Sequence, residues 1–360
     1  MPTLSRVLIV NPFGIGDMLF TTPLIAALKA HGPDMSIGYL GNARTEPLLR
    51  ADPRISCVFR YERDEFVALY RRSPWQFLRR WQALLEEIRA RKFELAFDCS
   101  LGSPVSLALF LAGIPRRIGY DYKGRGRWLT DRIPFKGYEG RHVAEYALDL
   151  LQHAGFLRTV PEQEAWPMRV FPSTEDEEFA RGLMREHHLQ PGRFIAVYPG
   201  GGASWGQGAF QKRWPAREYA KLADKVVEKS SLAIILMGDC GEKELCAAVA
   251  GAMKFPAVNA AGLTSVLQSA AVMRHSRFVL ANDGGPLHVA VACGARTVSV
   301  FGPVDPVVYG PFPAAGHTVV QKKMPCQPCY RRFRMSDCRH LSCLRLLEVD
   351  ELFNQLKELL

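Results

Sequence analysis

The sequence predicts an α/β fold with two doubly wound, Rossmann-like domains. Three observations lead to this prediction: short β-branched apolar runs alternate with helical patterns, the alternation occurs twice, and a segment rich in proline and charge separates the two occurrences. A chain of 360 residues that is 48% hydrophobic has enough apolar material for two cores. We therefore expect an N-terminal domain over residues 1–172 and a C-terminal domain over residues 173–360.

The first half is expected to alternate five strands with four helices. Apolar runs predict the strands Val7–Val10, Ser36–Leu40, Cys57–Arg60, Leu95–Asp98 and Arg117–Gly119. Helical spacing of apolar residues predicts the helices Asp17–His31, Pro74–Arg91, Ser103–Ala112 and His142–Ala154. The stretch from Pro161 to Gly192 then predicts a linker that contains one helix.

The second half repeats the alternation. Its predicted strands are Phe194–Tyr198, Leu232–Met237, a short one near Val258, Phe278–Ala281 and Thr297–Phe301. Its predicted helices are Pro215–Lys229, Glu242–Met253, Ser265–His275 and Pro286–Cys293. Ligands of open parallel sheets bind beyond the carboxyl ends of the strands, so the loops after these strands are where chemistry is expected.

Charge and composition restrict the class of protein. Lys and Arg outnumber Asp and Glu by 46 to 36, a net charge of +10, which favours acidic ligands or an anionic surface. The apolar run Val7–Val10 is too short for an export signal or a spanning helix, so a cytoplasmic protein is expected. Base-stacking aromatic arrays and known nucleic-acid motifs are absent from the sequence, which disfavours a nucleic-acid partner.

The loop after the first predicted strand contains Gly14-Ile15-Gly16-Asp17. A dinucleotide fingerprint would need a third glycine where Leu19 stands, and the second strand ends without an acid for a ribose, which disfavours an NAD-dependent oxidoreductase. Asp17 has two interpretations. It is a helix-start residue that stabilises the helix dipole, or it is an ionised carboxylate facing a cleft between the domains, able to accept a proton from a substrate hydroxyl.

A second glycine-rich loop, "YPGGGASWGQGAFQKRWP", follows the first strand of the second half. Gly200 and Gly201 allow backbone N–H groups to approach an anion closely, and Lys212 adds a positive charge just before a helix. The alternative interpretation is a surface loop with a solvated lysine. Both interpretations fit this stretch taken alone.

A third glycine-containing stretch, "LANDGGPLHVAVACGARTVSVFGPVDP", places Asp283, Gly284 and Gly285 ahead of Pro286 at the start of a helix. A helix N-terminus that opens at the carboxyl edge of a sheet suits a diphosphate. A capped helix would explain Asp283 and Pro286 but leaves the glycine pair unexplained. His288 lies in the first turns, where a packed or capping histidine is the commoner role than a ligand.

These motifs together resemble a known family. GIGDMLFTTP near the N-terminus, KRWP after the glycine-rich loop, GDCGEKE after the next strand and the NDGGPLHVAVACGARTVSVFGPVDP stretch are similar to those of the ADP-heptose:lipopolysaccharide heptosyltransferases, inverting glycosyltransferases with the two-domain GT-B fold. The resemblance spans nearly the whole chain, and the last motif is its most specific part. It implies an N-terminal acceptor-binding domain, a C-terminal nucleotide-sugar domain, and heptose transfer from ADP-heptose to the lipopolysaccharide inner core or a similar acceptor.

The resemblance also implies roles for individual residues. Asp17 would be the general base, Lys212 a phosphate ligand, Glu242 a ribose contact, and the segment from Asp283 to His288 the donor-sugar and diphosphate loop, with Gly14, Gly16, Gly200 and Gly201 also at the donor. The family often has Asp-Thr-Gly or Asp-Ser-Gly where this chain has Asp283-Gly284-Gly285, which removes a hydroxyl from the site. A donor other than ADP-heptose, or a non-catalytic nucleotide-sugar-binding protein, is the alternative.

No metal or other cofactor is expected. A D-x-D pair at a strand end is missing from the sequence, so Lys212 and the helix N-terminus at Gly284 and Gly285 are predicted to replace a metal at the departing diphosphate. Four cysteines, Cys326, Cys329, Cys338 and Cys343, leave two interpretations open, a bound metal or reduced packing thiols.

Basic residues recur in the first half, mostly on expected helix faces. The run "DYKGRGRW" is instead a loop, suited to phosphates and carboxylates of a core oligosaccharide or to the membrane that carries it. The expected partners are therefore a nucleotide-sugar donor, an anionic lipid-linked saccharide acceptor and the cytoplasmic face of the inner membrane.

Overall fold

The computed structural model describes residues 4–159 and 165–360. The chain divides into two compact units, Met1–Pro167 and Met168–Leu360. The beginning of the predicted linker, residues 161–164, lies outside the described residues. The rest of that linker contains the one helix expected of it, Thr174–Glu186.

The first unit is built on a six-stranded parallel sheet with the strand order β3-β2-β1-β4-β5-β6. β1 pairs with β2 on one side, where Val10 is opposite Leu40, and with β4 on the other, where Val10 is opposite Asp98. The strands are β1 (Arg6–Val10), β2 (Ser36–Gly41), β3 (Cys57–Arg60), β4 (Leu95–Asp98), β5 (Arg116–Tyr122) and β6 (Asp131–Phe135). β6 was not predicted from the sequence, and the predicted strand Arg117–Gly119 covers only part of β5.

Seven helices of this unit flank its sheet in the described part of the chain. They are α1 (Ile15–Leu19), α2 (Thr22–His31), α3 (Glu46–Ala51), α4 (Arg63–Arg72), α5 (Pro74–Ala90), α6 (Ser103–Leu111) and α7 (Val143–Ala154). α3 and α4 were not predicted from the sequence.

The prediction of one helix over Asp17–His31 is wrong, because the helix breaks after Leu19. Pro23 has no N–H, and its ring would meet the carbonyl of Leu19 in a continuous helix. The Thr22 hydroxyl donates to that carbonyl (2.8 Å), and the Thr21 hydroxyl donates to the carbonyl of Met18 (2.7 Å). The break gives Asp17 a short helix of its own.

The second unit has another six-stranded parallel sheet, ordered β12-β11-β10-β7-β8-β9. Its strands are β7 (Phe194–Tyr198), β8 (Ala233–Leu236), β9 (Val258–Asn259), β10 (Val279–Asn282), β11 (Thr297–Phe301) and β12 (His317–Gln321), and a separate antiparallel pair follows, β13 (Tyr330–Arg331) with β14 (Arg334–Met335). β12, β13 and β14 were not predicted from the sequence.

The helices of the second unit include three that the sequence analysis missed near the C-terminus. They are α8 (Thr174–Glu186), α9 (Ala216–Ser230), α10 (Lys243–Ala252), α11 (Val266–His275), α12 (Gly285–Ala292), α13 (Pro306–Tyr309), α14 (Ser342–Arg345) and α15 (Val349–Leu356). The glycine-rich stretch that was expected to be a loop is a 3₁₀ helix over Ala203–Lys212. Within the described residues, no helix is long and apolar enough to cross a bilayer.

The C-terminal segment completes the core of the second unit. Leu352, Phe353 and Leu356 of α15 belong to the same buried cluster as Trp214 and Tyr219. The indole N–H of Trp214 donates to the carbonyl of Leu347 (3.2 Å). The C-terminal segment therefore fixes the position of Trp214, which lies just after the glycine-rich segment.

Each sheet has one topological switch point. The chain leaves β1 toward β2 and later adds β4 on the other side, and it leaves β7 toward β8 and later adds β10. The loops beyond such a pair of strands diverge to opposite faces of the sheet and leave a crevice at its carboxyl edge. The predicted site residues follow β1 in the first unit and β7, β8 and β10 in the second.

Candidate active site

Two glycine loops meet at the switch point of the second sheet. Gly201 and Gly202 adopt left-handed backbone conformations, with φ of 99° and 83°. A Cβ on Gly284 would lie 2.1 Å from the carbonyl oxygen of Gly201, closer than any real contact. The loops after β7 and β10 are thus in backbone contact, which glycine at 284 makes possible.

Asn282, at the end of β10, hydrogen-bonds to both ends of the glycine-rich segment that follows β7. Its side chain is fully buried, its Nδ2 donates to the carbonyl of Pro199 (2.7 Å), and its Oδ1 accepts from the backbone N–H of Trp214 (3.0 Å). The amide therefore fixes both ends of the glycine-rich segment. Asn282 was not predicted as a site residue, although a polar side chain at the end of an apolar strand was a usable signal.

Lys212 and Asp283 form an ion pair at the same place. The Nζ of Lys212 lies 2.6 Å from Oδ2 of Asp283, and the residues are only 8% and 4% exposed. Burial raises the pKa of Asp283, and the ammonium of Lys212 opposes that shift. Lys212 is thus not the solvated lysine of the alternative interpretation, and its charge is partly matched before any ligand arrives.

α12 begins immediately beyond the pair. Gly284 is the N-cap, Gly285 the first helical residue and Pro286 the next, one position later than expected for the proline. Gly284 has no side chain to cap the first turn, so the free N–H groups of that turn are available to an anion. His288 is buried within the helix.

Glu242 lies beneath the glycine loop rather than on an open surface. Its Oε1 accepts from the backbone N–H of Gly202 (2.9 Å), and its Oε2 accepts from that of Asp239 (3.2 Å). A Cβ on Gly200 would fall 1.8 Å from Oε1, so the carboxylate fills the space that this glycine leaves. Burial raises the pKa of Glu242. The ribose contact implied by the resemblance remains a prediction.

Arg213 is a second residue that the sequence analysis missed. Its Nε donates to the carbonyl of Gly200 (2.8 Å), and a terminal nitrogen lies 3.5 Å from Oε1 of Glu242. The guanidinium therefore balances the buried carboxylate and fixes the start of the glycine loop. Its position beside Lys212 in the KRWP motif was the available signal.

In the first unit, Asp17 lies in the first turn of α1, behind the N-cap Gly14 and next to Gly16. The buried Asn11, one residue after β1, donates from Nδ2 to the backbone carbonyl of Asp17 (2.8 Å). This hydrogen bond fixes the backbone of Asp17 at the carboxyl end of β1. The dipole of α1 stabilises the ionised form of a carboxylate in the first turn. Both interpretations, general base and helix-start residue, remain compatible with this position.

Asp98 is a second carboxylate at the switch point of the first sheet. It ends β4 opposite Val10, is buried, and accepts through Oδ1 from the backbone N–H of Ser100 (2.8 Å). Burial raises its pKa to about 6, against the hydrogen bonds from Ser100. From the sequence, Asp98 is only the last residue of a predicted strand, because a single acid after an apolar run carries no signal of its burial.

The four C-terminal cysteines lie near one another around β13 and β14. Burial raises the pKa of the Cys343 thiol to about 11, with further increases from the charges of Cys329, Cys338 and Cys326. Among the residues described here, no group of three or more His, Cys, Asp or Glu side chains is arranged to hold a metal ion. All four are free thiols.

The basic run "DYKGRGRW" connects β5 to β6. The ammonium of Lys123 lies 5.0 Å from the ring centre of Tyr122, and the guanidinium of Arg127 lies 4.9 Å from that of Trp128. Cations held over aromatic faces keep their charge and remain available to phosphates or carboxylates. Its role toward an acceptor stays a prediction.

Comparison with known proteins agrees with this architecture. Lipopolysaccharide heptosyltransferase 2 of Escherichia coli K12 is 24% identical over 308 residues, 84% of each chain. A family 9 glycosyltransferase from Veillonella parvula shares the fold with a TM-score of 0.79 at 19% identity, over 99% of this chain and 97% of that one. Escherichia coli ADP-heptose lipopolysaccharide heptosyltransferase II does so with a TM-score of 0.74 at 20% identity, over 98% of both chains.

The two parallel six-stranded sheets are therefore the α/β architecture of the GT-B heptosyltransferases, as the sequence predicted. The family model for glycosyltransferase family 9 (heptosyltransferase) matches residues 81–340, which include both glycine loops of the second unit, Lys212 and Asp283. The chain belongs to glycosyltransferase family 9, the heptosyltransferase family, and is a glycosyltransferase.

Proposed function

We propose that this glycosyltransferase moves heptose from ADP-heptose to a saccharide of the lipopolysaccharide inner core with inversion at the anomeric carbon. The paired glycine loops of the second unit, closed around the Lys212–Asp283 pair at the start of α12, are the observation that carries the proposal. The names of the relatives supply the donor and acceptor: they are lipopolysaccharide and lipooligosaccharide heptosyltransferases, and one related structure contains ADP.

The second unit is proposed to bind the donor. The diphosphate accepts hydrogen bonds from backbone N–H groups in the first turn of α12. The ammonium of Lys212 then interacts with the phosphates as well as with the carboxylate of Asp283. Positive potential placed where the leaving diphosphate gains charge lowers the barrier for breaking the anomeric C–O bond. Glu242 is proposed to accept from the ribose, and the segment from Asp283 to His288 is proposed to face the donor sugar.

The first unit is proposed to activate the acceptor. Asp17 accepts the proton of the acceptor hydroxyl while that oxygen forms its bond to the anomeric carbon, and ADP leaves with the electrons of the broken bond. The dipole of α1 favours the ionised carboxylate that a base must be. We propose that this step takes place on the cytoplasmic face of the inner membrane, where a lipid-linked acceptor would be presented.

The test is the Asp17→Asn variant with ADP-heptose and a delipidated inner-core acceptor, followed by mass spectrometry of the product. Loss of a general base typically slows transfer by ~10²- to 10⁴-fold, whereas loss of a helix-start acid costs about 1 kcal/mol of stability or less. We expect slow transfer, a melting temperature within a few degrees of the wild type's, and unchanged ADP binding. Near-normal turnover with a lower melting temperature would return Asp17 to the helix-start role.

A different nucleotide-sugar donor is the second candidate, favoured by the Gly201–Gly284 contact. That contact leaves no space for a Cβ at position 284. The Thr or Ser that the family often has at this position therefore does not fit here, and the donor site lacks its hydroxyl. A thermal-shift panel of ADP, UDP, GDP and NAD separates the donors, since a ligand that binds the folded state raises its melting temperature. A larger shift with UDP or GDP than with ADP would favour the second candidate, and a larger shift with NAD would contradict sugar transfer.

A further inference from the structure

The helical hairpin of α4 and α5 exposes four large apolar side chains. Val67 and Tyr70 on α4 are 40% and 61% exposed, and Trp75 and Leu78 on α5 are 69% and 53% exposed. In each helix the two residues are three apart, which places them on one side of the helix. We call these four residues the hairpin face.

The hairpin is anchored to the first unit by other aromatic residues. Phe66 and Trp81 are in edge contact with ring centres 5.6 Å apart, and Phe77 stacks on Trp81 at 6.1 Å. Phe66 is buried in the core cluster of the unit, and Phe77 and Trp81 pack against it. Within the hairpin face, Tyr70 also meets the ring of Phe77 in edge contact at 5.4 Å. Phe66, Phe77 and Trp81 hold α4 and α5 to the unit, whereas Val67, Trp75 and Leu78 keep large exposed apolar surfaces.

Exposed arginines surround the hairpin face. Arg71 and Arg72 end α4, and Arg79 follows Leu78 on α5. All three are exposed, and none of the ion pairs found among the described residues involves them. Their charges are therefore not neutralised within the described part of the protein and are available to an anionic partner.

We propose that the hairpin face and these three arginines dock the enzyme onto an anionic lipid bilayer. Tryptophan and tyrosine favour the boundary between headgroups and hydrocarbon, and guanidinium groups bind lipid phosphates. An amphipathic hairpin with apolar and basic residues together lies in the plane of such a surface. This proposal adds a membrane-docking surface to the proposed function. It rests on the proposed function in one respect only, that the acceptor is carried by a lipid.

The expected strength follows from the charges. Each arginine near an anionic surface contributes about a fivefold increase in partition, so the three together contribute roughly a hundredfold. Trp75 and Leu78 add an apolar contribution that does not depend on lipid charge. Binding should therefore be strong on anionic vesicles, weak on neutral ones and sensitive to salt.

The test is co-sedimentation of the full chain with phosphatidylcholine vesicles that contain or lack phosphatidylglycerol. The triple variant Arg71→Gln/Arg72→Gln/Arg79→Gln should lose roughly a hundredfold in partition on the anionic vesicles. The double variant Trp75→Ser/Leu78→Ser should weaken binding to both kinds of vesicle. Leu263→Ser/Leu346→Ser, in the second unit, changes two leucines that are each 54% exposed and should bind like the wild type.

Each variant is also measured for its ADP-induced thermal shift and for transfer to the delipidated acceptor, both of which should be unchanged. If the wild type fails to prefer anionic vesicles, or both face variants bind as it does, the proposal is overturned. Concentration-dependent dimers that the Trp75→Ser/Leu78→Ser variant abolishes, without vesicle binding, would also overturn it in favour of a second copy. Failed transfer by every variant and the wild type, with vesicle binding intact, would instead contradict only the proposed function.

Discussion

Replacing Lys212 with methionine tests whether the Lys212–Asp283 pair holds the second unit together as well as binding a ligand. The pair is buried, with an N···O distance of 2.6 Å. Methionine keeps most of the length and apolar surface of the lysine stem but leaves the carboxylate of Asp283 without its cation. The double variant Lys212→Met/Asp283→Asn removes both charges and keeps a similar volume.

The magnitude follows from the burial of the pair. Removal of one partner of a buried ion pair costs ~3–5 kcal/mol, whereas replacement of both by neutral groups of similar size is often close to neutral. For a unit of this size, each kcal/mol corresponds to about 2–4 °C in melting temperature, so the single variant should lose roughly 6–20 °C. The double variant should recover most of that loss.

Thermal unfolding at several pH values provides the assay, with ADP titration as the second readout. Burial already raises the pKa of Asp283, and loss of Lys212 should raise it further. A protonated, neutral Asp283 needs no cation, so the deficit of the single variant should shrink as the pH falls. If Lys212 also binds the diphosphate, both variants should lose ADP affinity, including the one whose stability is restored.

Lys221→Met is the control, because Lys221 pairs with Glu218 at 2.8 Å on an exposed helix surface. Exposed pairs contribute about 0–1 kcal/mol, so little change is expected. If Lys212→Met melts within about two degrees of the wild type and the double variant brings no recovery, the pair has no structural role. Full ADP affinity in both variants would remove Lys212 from the donor site.

Three further changes probe the loops around the sites. Gly284→Ala should lower the melting temperature and ADP affinity, since its Cβ would meet the Gly201 carbonyl at 2.1 Å. Gly251→Ala, where an added Cβ meets nothing within 4 Å, is the control and should not lower the melting temperature; equal losses in the two variants would contradict the role of the Gly201 contact. Asn282→Ala should cost ~1–3 kcal/mol for each of two buried backbone groups left unpaired, and a melting temperature equal to the wild type's would contradict that. Asp98 binds a proton in the folded state up to a pKa of about 6, against an ordinary 3.8, so wild-type stability should fall as pH rises between these values. The rise from 3.8 to about 6 corresponds to at most ~3 kcal/mol, so Asp98→Asn should be the more stable protein at pH 8, and a parallel pH profile for both would refute the raised pKa.

The sequence by itself determined the architecture and where the chemistry should be sought. Alternation of apolar strands with amphipathic helices is a local property, and it predicted ten of the parallel strands and the helices that flank the two switch points. Glycine loops after β7 and β10 carry their signal in composition, because only glycine tolerates left-handed backbone and close approach. Elements of low apolar periodicity at the margins, such as α3, β6 and the short C-terminal helices, were missed because contacts with the rest of the unit stabilise them.

Only the tertiary structure decided how the candidate site residues are engaged. Sequence spacing cannot show that Lys212 and Asp283, far apart along the chain, form a buried pair, or that Glu242 supports the glycine loop from beneath. It cannot distinguish Asn282 and Asp98 from ordinary strand ends, since their burial depends on neighbouring strands and loops. Hydrogen bonds and pKa shifts arise from groups brought together across the sheet, so residue type predicts the chemistry available while the fold decides which groups are already paired.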